Sequence, residues 1–439
     1  MKRDVSRRDF LKLIGIGVVG LAVRPKIVPG LTHDFGSGDL ASDVVQCFHE
    51  QATSGSTINE PIVQMMMDES VMALAGVRDV GEAWKSFFPG ITESSIIGIK
   101  VNCINRYLPT HLEVVRCMAN GLAQMDFGGT LFPKNNIIVW DRTDSEMTSS
   151  GYTIYTGSDP TQVRYVGTNH SGFGYDSSVT FNVNGSSQNP SVILSRMVDY
   201  LIDAAVLKTH SQGVVTLCLK NHYGSVHNPG GLQHTGGCSP AIPSLNQQIR
   251  DVITPNNIQK LFVIDGLFGL YSGGPGGSPN FNPKVLIMSR DPVACDYQGQ
   301  NVINIERQAR GLSVLNAAQI TTAAQPPYSL GTTEVNLIEL NNVGMEESGL
   351  IDRASRLQIS PQPVHGQARV TFALPSADEV SIDVVDAAGR TQAQVYRGHL
   401  TRGRHQVNWQ TRGQVGAGTY FLRLSSRSGT QTRKVTVLN

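Results

Sequence analysis

Residues 203–210 read DAAVLKTH, an apolar run that ends in the polar residues Lys208, Thr209 and His210. Four other segments have the same form: SIIGIKVN (95–102), NNIIVWD (135–141), KLFVIDG (260–266) and KVLIMSRDPVACD (284–296). Short apolar runs that alternate with helical patterns predict an α/β domain with a largely parallel sheet. The fold class of most of the chain follows from this repetition.

The polar ends of the five runs are expected to share one cleft, because ligands bind outside the carboxyl ends of strands in open α/β sheets. Those ends are Lys100 and Asn102, Asp141, Lys208 and His210, Asp265, and Asp291 and Asp296. The residues predicted to contact a ligand are Lys100, Asn102, Thr209, Thr216, Asn221, Asp265 and Asp296.

Three segments have the apolar periodicity of connecting helices: 111–125, 190–202 and 242–253. A Gly-rich loop, YSGGPGGSPNFN (271–282), follows the run that contains Asp265. Its backbone N–H groups could surround an anion, or the segment could be a plain flexible loop. It has neither a Walker pattern nor a complete Gly-x-Gly-x-x-Gly followed by a helix, so nucleotide binding is not predicted.

The segment after the DAAVLKTH run, residues 211–224, is predicted to form a helix that ends at a glycine. Such a helix would carry Gln212, Thr216 and Lys220 on one face and would begin just after Lys208. The positive end of the helix and the two lysines would then converge at the strand end, which favours an anionic ligand.

The leading functional hypothesis is an enzyme in which Lys208 and Lys220 hold a small anionic substrate or cofactor. His210 would be its acid–base group, because the ordinary pKa of histidine lies near neutral pH. Asp265 and Asp296 would orient the lysines or hold a metal. The alternatives are a binding or cofactor-carrying surface protein without turnover, and a structural envelope protein, so catalysis stays open.

Three histidines, His222, His227 and His234, are candidate ligands for a transition metal, since neutral imidazole binds zinc, nickel, copper and iron. Their spacing matches no compact zinc finger, and the alternative is a polar loop whose histidines face water. His111 and His170 are isolated in the sequence and are predicted to be structural.

The N-terminus, MKRDVSRRDFLKLIGIGVVGLAV, resembles a twin-arginine signal peptide, with Arg7 and Arg8 ahead of the apolar run from Leu13 to Val23. The run is shorter than the roughly 20 residues of a membrane span, although a retained anchor is the alternative. The resemblance implies the twin-arginine translocase as a partner, export across the inner membrane after folding, and removal near residues 24–33. The six cysteines include no Cys-x-x-Cys pair and are expected to be mostly free, buried thiols.

The C-terminal region, from Leu357 onward, has short alternating strand patterns that predict a small all-β, immunoglobulin-like sandwich. SPQPVHGQARVTFALP (360–375), DAAGR (386–390), AGTY (417–420) and KVTVLN (434–439) resemble the C-terminal sorting domain of type IX secretion. The resemblance implies the type IX machinery as a partner and a cell-surface or extracellular location. A generic immunoglobulin-like accessory module is the alternative.

The central region also resembles a known family. LKTHSQGVVTLCLKNHYG (207–224), together with IKVN, VIDG, GGPGG and SRDPVACD in the same order, is similar to domain of unknown function 362. This resemblance implies no established reaction. Some members are fused to iron–sulfur modules, but this chain lacks the Cys-x-x-Cys-x-x-Cys run that a cluster requires, so no cluster is predicted.

The 439 residues are predicted to form a signal peptide (1–30), an α/β domain (31–345), a linker (346–358) and a β-sandwich (359–439). Lys plus Arg number 36 against 35 Asp plus Glu. Such a balance creates no general attraction for polyanions, so no nucleic-acid partner is predicted.

Overall fold

The structure is a computed structural model that describes residues 41–253, 257–343, 357–374, 378–386, 389–400, 403–426 and 429–438. The chain divides into two compact units, with the boundary between Asn342 and Val343. The predicted signal peptide, residues 1–30, and most of the predicted linker lie outside the described residues. None of the helices in the described ranges is both long enough and apolar enough to span a bilayer.

The first unit is built around one large sheet. The strands of the first unit are β1 (Ser42–Phe48), β2 (Thr53–Ser54), β3 (Thr57–Ile58), β4 (Ile97–Lys100), β5 (Ile137–Asp141), β6 (Arg164–Gly167), β7 (Phe181–Val183), β8 (Ser186–Gln188), β9 (Tyr200–His210), β10 (Val214–Thr216), β11 (Gln259–Leu270), β12 (Val285–Ser289) and β13 (Val335–Asn341). The sheet order is β13-β1-β12-β11-β9-β4-β5-β6, with β10 added to β9, whereas β2–β3 and β7–β8 are separate hairpins.

The sheet is rich in parallel pairs, which confirms the predicted α/β class. Strands β11, β9, β4, β5 and β6 are parallel neighbours, and β12 is antiparallel to both β11 and β1. Strands β4 and β5 are buried along their whole length. Continuous apolar strands of this kind are typical of sheets whose two faces are both covered.

The helices of the first unit cover this sheet. They are α1 (Glu60–Ala75), α2 (Val80–Ser86), α3 (Leu112–Leu122), α4 (Asp144–Ser149), α5 (Cys218–Asn221), α6 (Ala241–Val252), α7 (Pro292–Ala309) and α8 (Ala318–Ala324). The predicted helices 111–125 and 242–253 are observed as α3 and α6. The predicted helix 190–202 is mostly wrong, because only Ile193–Met197 is helical and β9 begins at Tyr200, where the chain pairs with β4.

The fifth apolar run does not end at the cleft, which corrects one expectation. Because β12 is antiparallel to β11, its carboxyl end lies at the opposite edge of the sheet. Asp291 accepts hydrogen bonds there from the backbone N–H groups of Val293 and Ala294 and caps α7. Asp296, predicted at a strand end, lies instead inside α7.

The second unit is all-β, as predicted. Its strands are β14 (Gln358–His365), β15 (Gln367–Leu374), β16 (Asp378–Val385), β17 (Thr391–Leu400), β18 (Gly403–Gln410), β19 (Gly418–Ser426) and β20 (Gly429–Leu438). They pair in the order β17-β16-β19-β20-β14-β15-β18. Alternate residues of β16, Val380, Ile382 and Val384, are buried in a core around Trp409.

Candidate functional site

The order of the strands reverses between β4 and β9. From β4 the chain passes to β5 and then β6 on one side, and later returns through β9 and β11 on the other side. Ligand sites in open α/β sheets lie at the carboxyl ends of strands at such a reversal. Lys100 is the last residue of β4 and Lys208 lies near the end of β9. Two of the predicted ligand-binding lysines therefore flank this point.

A chain of polar contacts connects these two lysines. Lys100 Nζ donates to Asp141 Oδ1 at 2.7 Å and lies 3.4 Å from Asn221 Oδ1. Asn102 Nδ2 donates to the same Asn221 oxygen at 3.1 Å, and Lys208 Nζ donates to Asn102 Oδ1 at 2.8 Å. Residues from β4, β5, β9 and α5 thus meet in one buried network. Lys100 has its own carboxylate partner in this network.

Lys208 differs from Lys100 in its partners. It is fully buried, and its ammonium donates to Asn102 Oδ1 and, at 3.3 Å, to the carbonyl oxygen of Leu108. Both acceptors are neutral, and Lys208 forms no ion pair with the described residues. Burial lowers the pKa of Lys208 to about 7; Asp141 opposes this shift, whereas Lys220 and Lys100 add to it. The protonated and neutral forms of Lys208 are therefore both populated at pH 7.

Lys220 is also without a carboxylate partner. It retains 8% exposure, and its ammonium lies 4.2 Å from the centre of the Tyr223 ring, a cation–π contact. It has no hydrogen bond or ion pair with the described residues. Burial lowers the pKa of Lys220. A Cβ atom at Gly213 would lie 2.7 Å from Lys220 Cε, so this glycine leaves room for the lysine stem.

Thr216 lies directly opposite Lys208 in the antiparallel pair of β9 and β10. Directly opposed residues place their side chains on the same face of a sheet. Thr216 is 4% exposed, and its Oγ1 is buried without a hydrogen-bond partner in the described residues. Thr209, by contrast, accepts a hydrogen bond from the N–H of Gly274 at 3.2 Å.

His210 does not have the pKa near neutral pH that its predicted acid–base role requires. Its Nδ1 accepts the backbone N–H groups of Gln212 and Gly213, each at 3.0 Å, and so holds the turn between β9 and β10. Burial lowers the pKa of His210 to about 4, helped by the positive charge of Lys220. The ring is consequently neutral at neutral pH, which corrects the expectation of an ordinary histidine.

The predicted helix 211–224 is wrong. Val214, Val215 and Thr216 extend the sheet as β10, because β-branched residues fit a strand better than a helix. Only Cys218–Asn221 is α-helical, and Gln212, Thr216 and Lys220 share no helix face. The expected face with three ligand groups therefore does not exist.

The two aspartates predicted to lie in the cleft, Asp265 and Asp296, form no hydrogen bond or ion pair with Lys208 or Lys220. Asp296 accepts the backbone N–H groups of Cys218 and Leu219 at 2.8 and 3.0 Å, so it caps α5. Burial raises the pKa of Asp296 well above its usual range. Asp265 instead contacts His111, a histidine that the sequence predicts to be structural. Their separation of 154 residues gave no local signal of this pair.

The three candidate metal ligands are not brought together. Their nearest polar partners are Ser225 and Asp203 for His222, Asn189 for His227, and the Leu232 carbonyl for His234. In the part of the chain that the structure describes, no group of three or more His, Cys, Asp or Glu is arranged to hold a metal. The six cysteines are all free and buried, as predicted.

The Gly-rich loop lies against the end of β9. The Gly274 carbonyl accepts the N–H of Ser211 at 3.1 Å, and Asn105 Nδ2 donates to the carbonyl of Gly277 at 2.9 Å. A Cβ atom at Gly274 would lie 1.8 Å from the carbonyl oxygen of Thr209, so only glycine fits this contact. The loop is thus seated against β9 at the lysine site.

Two family models match the chain. Residues 97–301 match the domain of unknown function DUF362. Residues 358–438 match the secretion system C-terminal sorting domain. The DUF362 match includes Lys100, Lys208 and Lys220, whereas the sorting-domain match indicates secretion to the cell surface or the extracellular space. No curated protein matches the sequence.

Solved structures resemble the chain only weakly. Dimeric latent PorU from Porphyromonas gingivalis is 20% identical over 19% of this chain and 9% of its own, with a TM-score of 0.17. The Ig1 domain of mouse SynCAM 2 is 15% identical over 19% and 93%, with a TM-score of 0.14. A Thermotoga maritima protein is 10% identical over 59% and 61%, with a TM-score of 0.33. This chain thus spans under a tenth of PorU, and these similarities carry no functional argument.

Proposed function

We propose that the DUF362 region binds a small anion with Lys208 and Lys220. The observation that carries this proposal is that both buried lysines lack a carboxylate partner in the described residues, whereas Lys100 is paired with Asp141. A buried charge without a partner is strongly unfavourable. A bound carboxylate, phosphate or sulfate would supply the missing negative charge.

Thr216 supports the same location. Its buried hydroxyl lacks a partner among the described residues and lies on the Lys208 face of the β9–β10 pair. A small anion has several acceptor oxygens, so it could accept from the hydroxyl and from both ammonium groups. Binding an anion would also raise the pKa of Lys208, because a nearby negative charge favours the protonated amine.

An amine with a pKa of about 7 is suited to acid–base or nucleophilic chemistry, which favours Lys208 over His210 as a reacting group. A binding protein without turnover would use the same two lysines to hold its ligand. Both functions therefore begin with the same anion-binding step, and that step is the one to test first.

Calorimetric titration of the full chain with sulfate and with malonate tests the proposal. The wild type should bind at least one of them, and Lys220→Met should weaken binding roughly tenfold or more, since a charge-assisted hydrogen bond contributes about 1.5–3 kcal/mol. Lys134→Met is the matched control, because Lys134 is bound to Asn120 on another part of the surface. Equal binding by wild type and Lys220→Met would sink the proposal.

We further propose that residues 1–30 are a twin-arginine signal and that 31–345 are exported in the folded state. The segment 346–358 would link them to an immunoglobulin-like sandwich, 359–439, which the type IX secretion machinery recognises. The separate apolar core of the second unit and the sorting-domain match to 358–438 support its role as an address.

A further inference from the structure

His111 and Asp265 form a pair whose hydrogen bonds fix the histidine tautomer. Asp265 Oδ2 lies 2.8 Å from the backbone N of His111 and 2.6 Å from its Nδ1, and Asp265 Oδ1 accepts the N–H of Leu267 at 3.1 Å. A carboxylate can only accept hydrogen bonds, so the ring nitrogen Nδ1 donates. The lone pair of the neutral imidazole is consequently on Nε2.

The Nε2 atom of His111 is available. It has no hydrogen bond with the described residues. It is also not buried, since the buried side-chain atoms without a partner do not include it. The imidazole side chain is 16% exposed, whereas that of Asp265 is 0% exposed. The ring packs against Phe268, with 5.4 Å between the ring centres. A buried carboxylate thus orients a ring that keeps one nitrogen open.

The pair lies at the same sheet edge as the lysines. Asp265 is the direct partner of Val206 in the parallel pair of β11 and β9. Lys208 follows Val206 by two residues, which is about 7 Å along a strand. On the other side, the ammonium of Lys208 donates to the carbonyl of Leu108, three residues before His111.

The electrostatic surroundings of His111 favour its protonated form. Burial opposes the charged ring, but the charge and the hydrogen bond of Asp265, together with Glu113 on α3, raise the pKa of His111 above its ordinary value of 6.5. The pKa of His210, in contrast, is lowered to about 4, mainly by burial.

From this geometry we propose that His111, held by Asp265, faces the anion bound by Lys208 and Lys220 and exchanges a proton with it. The inference rests on the proposed anion site and deepens it. The substrate class is a small carboxylate or phosphate that gains or loses a proton during the reaction. Asp265 is a positioning residue in this arrangement, because it acts through the imidazole.

The test follows the ring protons of His111 by NMR in histidine-labelled full-length protein, with His111→Gln used to assign them. The pKa of His111 is measured with and without saturating sulfate, whose charge is constant over the titration. The bound anion should raise the pKa of His111, because it stabilises the imidazolium. Asp265→Asn should lower that pKa in the absence of sulfate.

The possible failures are distinguishable. If calorimetry shows that sulfate binds and that Lys220→Met weakens the binding roughly tenfold or more, but the His111 titration does not move, then this inference is overturned and the anion site stands. If neither sulfate nor malonate binds, then the anion site and the role of His111 both fail. The His170 ring, which is held by Asp144, provides an internal control whose ring-proton shifts should not change when sulfate is added at constant pH.

Discussion

Replacing Lys208 by Met should change the pH dependence of stability in a direction set by burial. The ordinary lysine pKa is 10.5 and burial lowers the pKa of Lys208 to about 7, a difference that corresponds to about 5 kcal/mol. This penalty is fully present below pH 7, where the folded protein must hold a buried ammonium. It is relieved as the pH rises toward 10.5, because the unfolded chain then binds more protons than the folded chain.

The expected change is large enough to measure. From pH 7 to pH 9 the free energy of unfolding of the wild type should rise by about 2 kcal/mol relative to Lys208→Met. The substitution also leaves Asn102 Oδ1 and the Leu108 carbonyl without their donor, which costs about 1–3 kcal/mol for each group. Those losses lower the free energy of unfolding of Lys208→Met by the same amount at every pH. They therefore do not change how the difference between the two proteins depends on pH.

Urea unfolding at pH 7, 8 and 9 with tryptophan fluorescence is the assay. Trp84 and Trp140 lie in the first unit and Trp409 in the second, so a Trp409→Phe background restricts the signal to the first unit. Lys134→Met in the same background is the control, and its free energy of unfolding should depend on pH in the same way as that of its parent. A difference between wild type and Lys208→Met that stays constant from pH 7 to pH 9 would refute the burial argument.

Two further outcomes are expected. Gly274→Ala should lower the melting temperature and weaken sulfate binding, because its Cβ would meet the Thr209 carbonyl. Gly276→Ala, with open space around it, should change neither. Equal effects of the two substitutions on melting temperature and on calorimetric sulfate binding would contradict the role of this contact. Deleting residues 357–439 should leave the melting temperature of the first unit unchanged and abolish delivery to the cell surface, as judged by fractionation, since each unit has its own core. A large loss of stability would argue against a simple address.

The sequence predicted those parts of the site that depend on strand ends. Lys100, Asn102 and Lys208 follow apolar runs. Parallel pairing places Lys100 opposite Asp203, and Lys208, five residues farther along β9, meets Asn102 beyond the end of β4. The conformation of 211–224 was not predictable in the same way, because pairing with β9 decides between strand and helix there. The His111–Asp265 pair depends on register between distant segments, which no local pattern reveals.

The parallel pairing of β4 with β9 also has a kinetic consequence. Ile97 pairs with Tyr200, so the two halves of the lysine network are brought together by closing a loop of about 100 residues, and contacts of such long range form slowly. Until that loop closes, Lys100 and Lys208 remain hydrated and no preformed anion site exists. The anion binding proposed above requires the fully assembled sheet, so a bound anion would stabilise the folded first unit by mass action.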